Sequence, residues 1–140
     1  MACSRTETVQ PRTAALPAVC DRTQFQAAFD EFERIAYRRD EILGRADSYP
    51  LAEPAEYLRL VRNDEDQFRG LEVQARAIQA PRCLRAATEI YSNYMDKSRI
   101  ALEARHPGED PSAFRERRDT ADAVLGQYKT EVRQQSANAQ

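Results

Sequence analysis

From Cys20 onward, apolar positions recur at alternating steps of three and four residues, the signature of helices that each turn one face toward a core. Phe25, Ala28, Phe32, Ile35, Arg39, Ile42 and Ala46 form the first stripe, widened by Phe29, Ala36 and Leu43. They predict a helix over about 21–46, with Asp21 as its N-cap and Asp47-Ser48-Tyr49-Pro50 as its stop. A second stripe of Tyr57, Val61, Asp64, Phe68, Leu71, Ala75 and Ile78 predicts a helix that starts near Pro54, which suits a first-turn position, and ends or bends at Pro81. Leu84, Ala87, Tyr91, Tyr94, Ser98 and Ala101, broadened by Ile90, Met95 and Leu102, predict a third helix over about 82–105. The run His106-Pro107-Gly108-Glu109-Asp110-Pro111 breaks it. Phe114, Arg118, Ala121, Leu125, Tyr128 and Val132 then define a fourth helix, capped by Ser112 or Asp110.

The stripes can be matched pairwise, because antiparallel helices joined by a short loop set residues level with one another. In the first hairpin Phe25 faces Ile78, Phe32 faces Leu71, Ile35 faces Phe68 and Ile42 faces Val61. The same register sets Arg39 opposite Asp64, the one polar interruption in each stripe, and predicts a structural ion pair between them. In the second hairpin Tyr91 meets Tyr128, Tyr94 meets Leu125, Ser98 meets Ala121 and Arg105 meets Phe114. Two such hairpins joined at Pro81 predict an all-α, up-down-up-down four-helix bundle over 20–137. Residues 1–19 mix Thr, Pro, Ala and charge without a period, and predict a flexible N-terminal tether.

Composition agrees with helix: the chain has only four Gly and no Trp, and Ala, Arg, Glu, Gln and Leu are plentiful. At 140 residues there is room for one domain with a real core, not two. No run approaches the roughly 20 apolar residues of a membrane span, so a soluble domain is expected. The formal charge of −2 with interspersed signs argues against nucleic acid as a partner.

Three cysteines bear on the compartment. The bundle brings the start of the first helix and the start of the third to one pole, so Cys20 and Cys83 become neighbours and a disulfide is expected. Cys3 is left over. The segment Ala2-Cys3-Ser4 at the head of a polar tether resembles the mature start of a bacterial lipoprotein. That resemblance implies lipid on Cys3, membrane attachment through it, and a Met1 that replaces a signal peptide. It also implies a periplasmic or outer-membrane-tethered location, with Ser4 fitting outer-membrane sorting. If Met1 is instead native, Cys3 is an ordinary thiol and the protein is cytoplasmic.

Catalytic chemistry finds no foothold in the sequence. His106 is the single histidine, and there is no HExxH, CxxC or CxxCH, no Gly-rich phosphate loop and no nucleophile elbow. Asn63-Asp64-Glu65-Asp66 superficially looks like a calcium loop, but it lies inside a helical period and lacks the glycine and terminal glutamate of that motif. No metal, cofactor or enzyme activity is therefore expected. Tyr91, Tyr94 and Tyr128 form an aromatic group that serves either as core or, with wet hydroxyls, as a binding surface. The expectation is a non-enzymatic extracytoplasmic helical-bundle protein that binds another protein. Its build resembles small envelope-assembly accessory proteins such as secretin pilotins, and periplasmic immunity proteins. The alternatives are a cytosolic adaptor, or a carrier with an apolar pocket between the helices near the three tyrosines.

Overall fold

Asp21 opens the first helix as its sequence position requires, its Oδ1 accepting a hydrogen bond from the backbone N–H of Gln24 at 3.0 Å. The computed structural model describes residues 20–137 and 139, and within them the chain forms four helices and no strand. Helix α1 spans Arg22–Gly44, α2 Pro54–Arg76, α3 Arg85–Glu103 and α4 Pro111–Ala137. They run up, down, up and down. The first helix gives way at Gly44 to a 3₁₀ turn over Arg45–Ser48, a little before the predicted stop. The second ends at Arg76, five residues short of Pro81, and Pro81 precedes a 3₁₀ turn over Arg82–Leu84 that leads into α3.

The α3–α4 loop reverses the chain at Gly108, whose φ of +96° favours glycine because a Cβ there is strained. Asp110 then caps α4, its Oδ1 accepting from Ser112 N at 2.9 Å. The core follows the predicted stripes: Phe32, Ile35, Ile42, Val61, Phe68, Ala87, Tyr91, Tyr94, Ala101, Ala121 and Tyr128 are all essentially sealed from solvent. Burial of each large side chain among them contributes about 1.5–3 kcal/mol. Helices α3 and α4 approach most closely, consistent with Ser98, Ala101 and Ala121 on their buried faces, where small side chains let backbones come near.

Cys20 and Cys83 meet at the pole where α1 begins and α3 begins, bonded with Cα atoms 5.4 Å apart. The opposite pole carries the α1–α2 and α3–α4 loops. No helix among the described residues is long and apolar enough to cross a membrane. The tether at 1–19, and with it Cys3, lies outside the described residues.

Candidate functional site: a cationic aromatic cleft at the loop pole

Four segments converge at the loop pole. The α1–α2 loop supplies Tyr49 and Leu51, the first turn of α2 supplies Pro54 and Tyr57, the end of α3 supplies Arg105 and His106, and α4 supplies Phe114, Arg115 and Arg118. Together they enclose a cleft of about 660 Å³. Leu51 stands at its rim 79% exposed, an unusual position for a large apolar side chain.

Arg105 organises the cleft. Its side chain is 1% exposed, and its guanidinium lies between two rings, 5.0 Å from the centroid of Tyr49 and 5.3 Å from that of Phe114. Arg118 covers the same Phe114 ring at 5.5 Å. Nη1 of Arg105 donates to the carbonyl of Ile42 at 3.4 Å, and the Arg105 carbonyl accepts from Tyr57 Oη at 2.9 Å. Nη2 stands 3.3 Å from Asp64 Oδ2, an ion pair without hydrogen-bond alignment, so Nε and Nη2 both lack a hydrogen-bond partner.

Behind this wall, Asp64 is fully buried and shared. It pairs with Arg45 at 3.3 Å as well as with Arg105, and it accepts a hydrogen bond from the Tyr49 hydroxyl. Burial, then the bond to Asp64, raises the Tyr49 pKa, so the phenol keeps its proton and acts as donor. His106 is tied to Glu65 of α2 at 2.5 Å, which ties the α3–α4 loop down. Comparison with protein-family models, curated proteins and solved structures finds no match for this chain.

The predicted ion pair does not form. Arg39 is buried, but its Nη1 donates to Asp40 and to Asp122 of α4, each at 2.8 Å, while its Nε donates to Ser98 Oγ of α3 at 2.9 Å. The neighbouring Arg38 is the residue that reaches α2, at Gln67, and one residue step turns a helix by roughly 100°, so Arg39 points away from α2 toward the second hairpin. Asp64 lies level with Arg45 instead. Burial alone opposes the charge of Arg39, yet Tyr94, Asp40 and Asp122 outweigh it and its pKa is raised.

The tyrosine group is core and not surface. Tyr91, Tyr94 and Tyr128 are each at most 1% exposed and pack edge to face, Tyr91 lying 5.3 Å from Tyr94 and 5.1 Å from Tyr128. Their hydroxyls are not wet: Tyr91 Oη donates to the Phe32 carbonyl at 2.8 Å, and those of Tyr94 and Tyr128 have no partner. The groove that includes Tyr91 runs between α2 and α3 past Ala75, Ile78 and Met95, and neither Tyr94 nor Tyr128 lines it. Among the described residues no cluster of His, Cys, Asp and Glu is placed to hold a metal ion.

Sequence reasoning passed over the cleft because Tyr49, Leu51 and His106 come from loops, where periodicity is silent, while Tyr57, Phe114 and Arg118 were read only as members of their helix stripes. One trace was present: the register of the second hairpin sets Arg105 opposite Phe114, the pair found stacked here.

Proposed function

We propose that this protein is a non-enzymatic, extracytoplasmic binding module that is anchored at its disulfide pole and engages another protein through the cleft at its loop pole. The observation that carries the reading is the cleft itself, with exposed Leu51 beside the aromatic residues Tyr49, Tyr57 and Phe114. Apolar anchors next to arginine and aromatic rings are the composition of energetically important contact sites between proteins. The Cys20–Cys83 pair supports an oxidising compartment. Lipid on Cys3 would hold the chain to a bacterial envelope membrane. Because α1 is 23 residues long, or about 34 Å, the cleft lies a helix length from Cys20, the pole where the N-terminal segment joins the bundle.

The test is site-directed photocrosslinking in intact cells. A photoreactive residue at Leu51 is expected to give one discrete protein adduct. The same residue at Val73, exposed on the flank of α2, is expected to give none. Equal adducts from both positions, or none from Leu51, would overturn the reading. Retention of labelled palmitate by wild type and its loss in Cys3→Ser tests the anchor.

A further inference from the structure

We propose that the cleft recognises a carboxylate, an Asp or Glu side chain flanked by apolar residues in an exposed segment of the partner protein. This rests on the reading of the cleft as a protein-binding site and adds the chemistry of what is bound.

Charge is the first argument. The chain as a whole carries −2, yet the cleft is lined by Arg105, Arg115 and Arg118 against a single acid, Glu109. His106 at its edge is already engaged by Glu65. The buried Asp64 behind it is one carboxylate facing two guanidiniums, Arg45 and Arg105, so the cluster holds one positive charge in excess. Helices α2 and α4 both begin here, and their positive dipole ends add to the same field. The groove between α1 and α4 sets Arg39, Arg118 and Lys129 against Asp40 and Asp122, a smaller excess than the three arginines and one acid of the cleft.

The second argument is the kind of cation at the cleft surface. A guanidinium grips a carboxylate with two parallel bonds, and the groups placed to do so are Arg115, which is exposed, and Arg118, which is half-buried over Phe114; Arg105 behind them already faces Asp64 through Nη2. The walls then set the neighbours of the acid. Leu51, Tyr57 and Phe114 offer apolar and aromatic surface on either side, and about 660 Å³ accommodates a few residues of extended chain.

The experiment is an NMR titration of the full chain with the pentapeptide acetyl-Ala-Leu-Asp-Leu-Ala-amide and its Asn counterpart. The Asp peptide is expected to shift the amides of Leu51, Phe114 and Arg115 saturably, to weaken with added salt, and to bind at least tenfold tighter than the Asn peptide. Arg115→Gln and Arg118→Gln, at positions exposed enough to spare the fold, are each expected to weaken it about three- to tenfold. Equal binding of the two peptides, no shift at the cleft up to millimolar peptide, or wild-type affinity in the Arg115→Gln/Arg118→Gln double variant overturns the proposal. So does tighter binding of inorganic phosphate, or binding of phenylacetate without the peptide, which means a free anion and not a protein segment. A Leu51 adduct with no preference for the Asp peptide sinks the carboxylate and leaves the binding surface standing. Peptide binding with no Leu51 adduct sinks the partner-protein reading.

Discussion

Arg39 of the first helix and Asp122 of the fourth lie 2.8 Å apart, an ion pair that closes the bundle between its first and last elements. Its two halves are unequally placed, since Arg39 is 2% exposed while Asp122 is 50% and Asp40 62% exposed. Removing the buried partner therefore strands acids that water already reaches, and takes one donor from Ser98 Oγ, which still donates to the Tyr94 carbonyl. Arg39→Met is expected to change stability by no more than about 1 kcal/mol in urea denaturation, because an apolar chain of similar length replaces a buried ion whose desolvation was costly. Asp64→Ala is expected to cost about 3–5 kcal/mol, because it strands Arg105 in the interior. Comparable losses from the two variants would mean that the acids at Arg39 are not solvated as their exposure implies.

The difference between those two sites marks where sequence reasoning holds and where it fails. Helix faces were legible because burial imposes a three-four period that Phe32, Phe68, Tyr91 and Tyr128 all obey. The meeting of Cys20 with Cys83 followed from topology alone. Polar partners were not legible. Arg39 and Asp64 do interrupt their stripes as buried charges, but a two-helix register cannot see that counterions arrive from the other hairpin and from Arg45 past the end of α1. The cleft was hidden for a related reason, since Tyr49, Leu51 and Arg105 sit where the period stops.

The three core tyrosines offer a sharper contrast than their shared burial suggests. Tyr91 donates to the Phe32 carbonyl, whereas the hydroxyls of Tyr94 and Tyr128 are buried without partners. Tyr91→Phe is expected to cost about 1 kcal/mol through the lost bond. Tyr94→Phe and Tyr128→Phe remove a desolvated hydroxyl and are expected to be neutral or stabilising by about 1 kcal/mol. Thermal melts of the three single variants check the order, and a destabilised Tyr94→Phe would indicate a bond that the static structure does not hold.

The same hydroxyls govern behaviour in alkali. Burial, chiefly, pushes the pKa of Tyr91, Tyr94 and Tyr128 above the ordinary value of 10.0. Above pH 10 the folded chain then holds protons that the unfolded chain releases, so stability present below that pH is lost as pH rises. Phenolate absorbance at 295 nm from these residues is expected to appear together with loss of helical circular dichroism. A Tyr91→Phe/Tyr94→Phe/Tyr128→Phe variant should keep its helix to higher pH if its neutral fold is intact. Phenolate growth from all six tyrosines ahead of any loss of helix would contradict this.

The bond between Cys20 and Cys83 spans 63 residues, and so ties the start of α1 to the start of α3 across the whole first hairpin. Its effect acts on the unfolded chain, where closing a loop of that length removes entropy equivalent to about 4 kcal/mol in the chain-entropy account. For a domain of this size that corresponds to a fall in Tm of about 15 °C on reduction. Cys83→Ser is expected to reproduce the fall, and added reductant should then have no further effect on the variant. Denatured, unreduced chain without lipid on Cys3 should show one reactive thiol, from Cys3, and three after reduction, and lipid on Cys3 lowers each count by one. Three thiols before any reductant, or a Cys83→Ser variant that melts with wild type, would leave the oxidising compartment without its physical basis.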